Sequence, residues 1–276
     1  MKDTLAPETI VYKEWLQVQE KSRVTKQKYI RDVDQFIGFL QRDPSAITKL
    51  DVFAYKDYLI SKYKPSSVNS YLISLNNYFT FLKRDDLRAK TLKIQRKTSL
   101  NNVLTESEYT SLLDTALARK KLRLYYLIRV LASSGIRIGE LQYITAEVLK
   151  TGKTEVIGKE KIREIIIPKN LCLALREYCR ERNIQKVIFH GRDPGIMLDK
   201  AWIWRDMKQL AKHAGVPEEK VHAHNFRHYF ARSYLAHYHD IVELADILGH
   251  NSIETTRIYT RTSRQEKQER IDAMNL

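Results

Sequence analysis

Cysteine, glycine and proline are scarce in this sequence, and long apolar runs are missing from it. The 9 glycines and 6 prolines among 276 residues exclude collagen-like tracts and extended flexible segments. The two cysteines, Cys172 and Cys179, lack the Cys-x-x-Cys spacing of zinc and redox sites, and no secretory signal segment is recognisable, so we expect reduced thiols. Apolar runs such as 165–167 are far shorter than the roughly 20 residues that span a bilayer. We therefore expect a soluble, cytoplasmic protein with no membrane partner.

Positive charge dominates what is present. Lysine and arginine together number 48, against 33 aspartates and glutamates, so the net charge is +15 at pH 7. The excess is shared between the two halves of the chain rather than collected in a tail. A bias of this size predicts a polyanionic partner, and because both halves carry it, we expect both to face nucleic acid. A basic but otherwise ordinary enzyme is the alternative that charge alone leaves open.

Apolar periodicity divides the chain into two helical parts separated by a basic stretch. Within residues 8–84, apolar side chains recur at three- and four-residue steps, as from Val68 to Leu82, which is typical of helices that bury one face. Residues 83–97 then carry seven basic and two acidic side chains with little periodicity, which predicts a linker. The predicted division is a helical domain, a basic linker and a second domain, at residues 1–88, 89–101 and 102–276.

Local patterns in the second domain predict helices and one β-hairpin. Thr105-Glu106-Ser107-Glu108 has the pattern of a helix capping box, and residues 122–133 are apolar on one side. Short β-type runs at 154–157 and 164–167 flank a Gly-Lys turn, which would present Lys159 at the tip of a hairpin. We therefore expect a mainly α protein with a small hairpin sheet in its second domain.

Four residues between positions 224 and 259 have the chemistry to handle a phosphate. His224 and Arg227 are three residues apart and share one helix face. An arginine fork matches phosphate oxygens, and an imidazole can move protons near neutral pH. His250 follows a Leu-Gly pair, and nine residues later Tyr259 stands among cations. A phenol in such surroundings becomes a nucleophile once its proton is taken or its anion is stabilised.

The histidines also raise the question of a metal site, because they cluster at residues 222, 224, 228, 237 and 239. No His-Glu-x-x-His pattern accompanies them, and the cysteines have no zinc-type spacing. We therefore expect no metal and no other cofactor. His228 is interpreted as a helix-packing residue or a phosphate contact.

These motifs resemble the tyrosine recombinase, or phage integrase, family, in which a His-x-x-Arg box precedes Leu-Gly-His and a Thr-Thr-x-x-Tyr segment with the nucleophile. The family's upstream arginine, in a Gly-x-Arg-x-x-Glu-Leu context, is matched by Arg137, and its β-hairpin lysine by Lys159, with Arg163 downstream. The resemblance is strong over residues 105–262 and looser in the first domain. It implies an N-terminal helical, SAM-like core-binding domain that clamps DNA and a C-terminal α+β catalytic domain.

The resemblance implies cleavage and rejoining of DNA through a 3′-phosphotyrosine intermediate, without ATP because bond energy is retained. The tyrosine attacks phosphorus, two arginines hold the phosphate charge, a lysine protonates the leaving 5′ oxygen, and two histidines assist. Lys153 and Lys161 are alternatives to the lysine at the hairpin tip, and Glu140 is expected to orient a neighbouring catalytic group. The implied catalytic set is Tyr259, Arg137, Lys159, His224, Arg227 and His250.

The family's partners are implied in the same way. They are double-stranded DNA and further copies of the chain, as a tetramer that joins two DNA sites through a Holliday junction, with accessory proteins left open. The polar tail 264–276 would dock on a neighbouring subunit. The residues predicted to contact DNA are Lys62, Lys64, Arg96, Lys97 and Arg257.

Two rival functions are weighed against recombination. A type IB topoisomerase-like enzyme would use similar chemistry to relax DNA without a partner duplex. A non-cleaving, sequence-specific DNA-binding regulator would be expected to have lost Tyr259 or an arginine, and neither is lost. Within recombination, Xer-like resolution of chromosome dimers and integration or excision of a mobile element both stay open.

Overall fold

The computed structural model describes residues 7–40, 46–94, 103–157, 162–250, 252–260 and 272–274, most of which are helical. The chain divides into two compact units, Met1–Arg96 and Lys97–Leu276. The predicted fold class is confirmed, because helices dominate both units and the strands of the described part form one small antiparallel sheet. The domain and linker boundaries proposed from composition stay predictions.

The described part of the N-terminal unit is helical throughout its core. Its helices pack apolar faces together around side chains that include Phe36, Tyr55 and Phe79. The third helix begins at a capping box, in which the Thr48 hydroxyl accepts a hydrogen bond from the Asp51 backbone N–H at 3.3 Å. The elements are α1 (Pro7–Val18), α2 (Arg23–Leu40), α3 (Lys49–Lys62), α4 (Pro65–Phe81) and a 3₁₀ turn at Asp85–Leu87.

One carboxylate is buried within this N-terminal core. Asp32, on α2, is 1% exposed and accepts hydrogen bonds from the Lys28 ammonium and, at 2.7 Å, from the Ser74 hydroxyl on α4. A buried charge is tolerated only when it is paired and hydrogen-bonded. Asp32 therefore fixes α2 against α4 as well as filling space between them.

The first helix of the C-terminal unit starts at the predicted capping box, which is confirmed. The Thr105 hydroxyl accepts from the Glu108 N–H at 3.2 Å, and the Glu108 carboxylate accepts from the Thr105 N–H at 2.9 Å. The α-helices that follow are α5 (Glu106–Ala118), α6 (Leu122–Ser134), α7 (Val148–Thr151), α8 (Lys169–Glu181), α9 (Lys200–Ala214), α10 (Ala223–Tyr238), α11 (Ile241–Leu248) and α12 (Ile253–Thr256). Short 3₁₀ helices lie at Ile138–Tyr143, Glu218–Lys220 and Arg257–Thr260.

The predicted hairpin is present, as β1 (Lys153–Ile157) and β2 (Ile162–Ile166). The second strand begins before the apolar run predicted at 164–167, because its pairing with β1 includes Arg163, which lies opposite Val156. The same register places Lys153 opposite Ile166. Side chains alternate across a strand, so Arg163 and the buried Ile165 share the face that turns towards the core. A charged residue thus occupies the buried face of the sheet.

Two apolar clusters hold the C-terminal unit together. The larger lies between α5, α6, α8, α9 and α10, where α10 packs along α6. A smaller one joins α10 and α11 to the last 3₁₀ helix through Ala231, Leu244, Leu248 and Tyr259. Tyr259 is therefore held by packing on its ring. Within the described residues, no helix has both the length and the apolar character needed to cross a membrane.

Candidate active site

The turn after α6 brings the first arginine box to the start of α10. Gly135 ends α6 in the left-handed conformation, with φ of +61°, and a Cβ there would lie 2.5 Å from Cδ1 of Phe230. Only glycine meets both requirements without strain. The turn leaves the Gly135 carbonyl facing α10 and places Arg137 at the entry to the 3₁₀ helix Ile138–Tyr143.

Arg227 lies at the centre of the site. Its side chain is on α10, is 1% exposed, and donates from Nη1 to the Gly135 carbonyl at 2.7 Å and from Nη2 to the Leu248 carbonyl at 2.6 Å. Burial, followed by the positive charges of Arg137 and Arg163, lowers the pKa of Arg227 to about 10. The guanidinium is therefore held between two chain segments that are far apart in sequence.

Of the two arginines in the predicted catalytic set, Arg137 is the exposed one. Nearly half of its side chain is open to solvent, and its Nη1 lies 3.3 Å from Oε1 of Glu140. Its Nη2 reaches the Gly249 carbonyl at 3.3 Å. The Glu140 carboxylate also accepts from the Arg137 backbone N–H at 2.7 Å. Glu140 thus contacts a proposed catalytic arginine at both its backbone and its side chain, and the orienting role expected for it stays a prediction.

A third arginine, Arg163, joins this cluster from β2. It forms an ion pair with Glu140 and donates from Nη1 to the Ile247 carbonyl at 2.6 Å. The sequence motifs predicted no role for Arg163 itself. The signal that would have found it is an arginine within an alternating strand, at a position where the alternation calls for an apolar side chain.

Contacts at both ring nitrogens orient the His250 side chain. Its Nε2 lies 2.9 Å from Nη2 of Arg227, and its Nδ1 lies 2.8 Å from the Thr256 hydroxyl. Because a guanidinium can only donate, Nε2 must accept, so the neutral ring carries its proton on Nδ1. Burial, with the charges of Arg227, Arg137 and Arg163, lowers the pKa of His250 to about 4. The ring is therefore neutral near pH 7.

Tyr259 is packed between two imidazoles. The phenol is 6% exposed, and its ring centroid lies 5.2 Å from that of His228 and 6.4 Å from that of His250. Burial leaves the pKa of Tyr259 above its usual value, although the charge of Arg227, a hydrogen bond with Arg227 and the charge of Arg137 all lower it. The same guanidinium groups that would hold a phosphate therefore also favour the phenolate.

His224 lies one turn before His228 on α10. Their ring centroids are 4.3 Å apart in an edge-to-face arrangement, and His224 is the exposed ring of the two. Burial and the charges of Arg227 and Arg137 lower the pKa of His224, and burial together with neighbouring cationic groups lowers the pKa of His228 to about 4. His228 was interpreted as a packing or phosphate residue, and the structure places it in contact with the tyrosine.

The remaining predicted residues either lie away from this cluster or fall outside the described part of the chain. Lys159, Lys161, Arg96 and Lys97 lie outside the described residues, as does most of the tail 264–276. Lys153 is described at the start of β1, where its ammonium is 3.4 Å from the Glu164 carboxylate. No grouping of three or more metal-ligating side chains occurs among the residues that the structure describes.

The predicted DNA contacts that are described lie at the protein surface. Lys62 is exposed at the end of α3, with its ammonium 4.4 Å from the centre of the Tyr58 ring, and Lys64 caps the start of α4. Arg257 pairs with Glu254 at 2.7 Å. Lys62 and Lys64 are exposed and therefore accessible to a phosphate backbone. Arg257 would have to leave the Glu254 carboxylate before it could bind a phosphate. Their DNA-binding roles stay predictions.

Comparison with known proteins decides the family. The phage integrase family matches residues 102–266, and the phage integrase N-terminal SAM-like domain matches residues 12–89. The chain belongs to the phage integrase family. Its membership confirms the resemblance seen in the motifs and makes the chain a tyrosine recombinase, an enzyme of DNA recombination.

Relatives of this integrase-family chain match it over most of its length. The tyrosine recombinase XerA of Pyrococcus furiosus is 29% identical over 273 residues, covering 95% of this chain and 92% of the relative. XerD of Rhizobium meliloti is 29% identical over 264 residues, covering 86% and 84%. A crystal structure of the XerH site-specific recombinase bound to its palindromic difH substrate aligns with a TM-score of 0.74 at 19% identity, covering 99% of this chain and 86% of that one.

Proposed function

We propose that this protein recombines DNA at specific sites by transesterification at Tyr259. The phenol oxygen bonds to phosphorus, the bond from phosphorus to the 5′ oxygen breaks, the phenolic proton leaves, and the 5′ oxygen takes up a proton. A 3′-phosphotyrosine joins protein to DNA, and attack by a second strand's 5′ hydroxyl reverses the step. The observation that carries the proposal is the placement of Tyr259 against Arg227, with Arg137 beside them.

The two arginines have complementary roles in this proposal. Arg227 is buried and held by carbonyls, so it provides a fixed charge next to the nucleophile. Arg137 is half-exposed and its contact with the Gly249 carbonyl is long, at 3.3 Å, so its fork is free to turn to a phosphate. Preorganised donors aimed at developing negative charge supply the largest part of catalysis in such reactions.

The histidines move protons in this scheme. His224 is exposed and keeps a depressed pKa, so it is unprotonated near pH 7 and able to accept the Tyr259 proton. His250 accepts from Arg227 when no phosphate is present. A bound phosphate would raise the affinity of this ring for a second proton, and Nε2–H would then donate to a nonbridging oxygen. Lys159 remains the proposed general acid for the 5′ oxygen by resemblance.

The partners in this proposal are double-stranded DNA and three further copies of the chain. Relatives in the same family include recombinases whose structures contain DNA, such as XerH with difH. A tetramer on two sites exchanges strands in pairs through a Holliday junction, and the tail 264–276 is proposed to dock on the neighbouring subunit. DNA contacts are proposed for Lys62, Lys64, Arg96, Lys97 and Arg257, and the expected compartment is the cytoplasm.

Covalent trapping tests the proposal. Nicked duplexes with randomised arms serve as suicide substrates, and adducts that resist denaturation are counted for wild type, Tyr259→Phe and Tyr229→Phe. Tyr229 is the matched control because it lies on α10 and stacks on Tyr109, away from the arginines. Adduct from wild type and Tyr229→Phe, but not from Tyr259→Phe, is expected. Adduct that survives Tyr259→Phe, or none from wild type, would overturn the assignment.

A second measurement separates recombination from its rivals. Two labelled duplexes that carry the trapped site are mixed, and exchanged products are compared with relaxation of a supercoiled plasmid. Recombination predicts products that require both duplexes. Relaxation without exchange would indicate the topoisomerase-like activity, and binding without adduct would indicate the non-cleaving regulator.

A further inference from the structure

Arg163 is an arginine on the buried face of the hairpin. It sits opposite Val156 in the sheet and only 8% of its side chain is exposed. Strand positions on a buried face normally hold apolar side chains, because an isolated charge there is costly. The charge at this position therefore needs partners, and the structure supplies them from two other parts of the C-terminal unit.

The partners of Arg163 are both next to residues of the proposed active site. Its Nη2 forms an ion pair with Glu140, which also binds Arg137 through the backbone and the side chain. Its Nη1 donates to the Ile247 carbonyl at 2.6 Å, three residues before His250. One guanidinium thus connects the strand that follows Lys159 with the surroundings of Arg137 and of His250.

The end of α11 connects Arg163 to the two other arginines of the cluster. Three successive carbonyls there accept hydrogen bonds from three arginines: Ile247 from Arg163, Leu248 from Arg227, and Gly249 from Arg137. Carbonyls at a helix C-terminus have no intrahelical partner and carry partial negative charge, so they attract guanidinium groups. Each arginine therefore helps to fix the backbone that positions the other two.

Gly249 allows the Arg163 side chain to come close to the end of α11. The aliphatic stem of Arg163 crosses so close to it that a Cβ on Gly249 would lie 2.3 Å from Cδ of Arg163. The Nε atom of Arg163 is also buried and has no hydrogen-bond partner within the described part of the chain. A buried donor without a partner is destabilising, and packing alone does not explain why the fold accepts it.

We propose that Arg163 is a positioning residue. It holds Glu140 and the backbone of residues 247–249, and so places Arg137, Arg227 and His250 where each can contact the phosphate. The proposal rests on the transesterification at Tyr259 described above. It also makes β2 part of the site's framework, because one side chain links this strand to Glu140 and to the end of α11.

A merely structural arginine would behave differently on substitution. Replacing a buried ion pair by an apolar group of similar shape is often neutral for stability or even stabilising. Arg163→Met keeps the unbranched stem and removes the fork, and adding Glu140→Gln removes the carboxylate charge that is left. If Arg163 only fills space, Arg163→Met should cleave like wild type; the double variant tests folding alone, because Glu140 also binds Arg137.

The main test is single-turnover formation of the Tyr259 adduct at saturating protein, with the half-saturating concentration measured separately. Arg163→Met and Arg163→Lys are each expected to slow the maximal rate roughly tenfold or more, because small displacements of catalytic groups cost that much. The half-saturating concentration should stay near wild type, whereas the thermal midpoint of Arg163→Met should fall because Glu140 is left without its ion-pair partner. The double variant with Glu140→Gln should fold and remain slow.

Arg176→Met is the matched control. Arg176 also donates to helix carbonyls, those of Leu149 and Lys150 in α7, and within the described part of the chain it has no hydrogen bond or ion pair with Arg137, Arg163 or Arg227. Its cleavage rate should stay within about twofold of wild type. A wild-type rate in Arg163→Met, or equal slowing in Arg176→Met, would overturn the proposal.

A spectroscopic measurement keeps this inference separate from the proposed function. The ¹⁵N shifts of the His250 ring report which nitrogen carries the proton, and we expect the Nδ1–H form in wild type. That form should become a mixture in both Arg163 variants and stay intact in Arg176→Met. If wild type forms no adduct, the proposed function fails and the ¹⁵N result alone decides about Arg163; an unchanged Nδ1–H form in both variants would reject it.

Discussion

The guanidinium of Arg227 holds the imidazole of His250 in a single orientation, with Nη2 and Nε2 2.9 Å apart. The Thr256 hydroxyl fixes the other ring nitrogen at 2.8 Å. In the absence of phosphate, Arg227 therefore donates to the group that is proposed to donate to phosphate later. Binding of a phosphodiester would replace a contact within the protein by contacts with the substrate, and both side chains are in place beforehand.

Arg227→Lys should slow cleavage severely although it keeps a positive charge. An ammonium cannot reach the Gly135 carbonyl, the Leu248 carbonyl and His250 together, as the planar fork does. We expect the rate of adduct formation to fall by roughly 100-fold or more and the free energy of unfolding to fall by about 2 kcal/mol. Suicide-substrate trapping and urea unfolding measure the two effects. A rate near wild type would contradict the role of the fork.

Stability should fall as the pH drops from 7 towards 4. Burial, with nearby cationic groups, lowers the pKa of His228 and of His250 from 6.5 to about 4, so the unfolded chain binds protons more readily than the folded one. The stabilisation is complete above the unfolded value and is lost as the pH falls through this window, with about 1–2 kcal/mol expected for each ring. Urea midpoints between pH 7.5 and about 4.5 measure it.

The variant His228→Phe isolates one of these two groups. It keeps a ring against Tyr259 and cannot take up a proton, so the decline of the urea midpoint with falling pH should be shallower than in wild type. His213→Phe is the control, because His213 is exposed near the end of α9. An equal decline in wild type and His228→Phe would show that His228 does not contribute.

Gly249→Ala should destabilise the protein more than Gly215→Ala does. Both glycines end helices in the left-handed conformation, with φ of +62° and +65°, so both alanines meet a similar backbone cost of about 1 kcal/mol. A Cβ on Gly215 meets nothing within 4 Å, whereas one on Gly249 meets the Arg163 side chain. The difference between the losses of unfolding free energy in the two variants therefore measures the cost of placing a Cβ against the Arg163 side chain. Equal losses would mean that Arg163 moves aside freely.

Asp32→Ala should destabilise the N-terminal unit selectively. It leaves Ser74 and the Lys28 ammonium without their shared buried acceptor, at a cost of about 2–3 kcal/mol. Asp34→Ala on the same helix removes an exposed carboxylate and serves as the control. Hydrogen exchange should accelerate in peptides from α2 and α4 of Asp32→Ala and stay unchanged in those from α6 and α10. Uniform acceleration across both units would contradict a local effect.

Much of the local structure could be predicted because its causes are local. The capping box at Thr105 and Glu108 involves neighbours in sequence, and α6 covers Leu122–Ser134 where apolar periodicity predicted 122–133. The hairpin was predicted within two residues at each end, and the shift at β2 arose because strand pairing, not the apolar run, decides where a strand begins. The spacing of the motifs around Tyr259 was sufficient to predict the family.

By itself, then, the sequence determined the helical character of the chain, the capping box at Thr105, the hairpin, the family and the residue types that would meet a phosphate. Only the tertiary structure decided how these residues hold one another. The contacts of Arg163 with Ile247, Arg227 with Gly135 and Arg137 with Gly249 join residues that are 84, 92 and 112 positions apart. Periodicity and spacing describe neighbours along the chain, whereas these hydrogen bonds depend on where α6, β2 and α11 pack. That packing also set the tautomer of His250, the burial of Tyr259 and the place of His228 beside it.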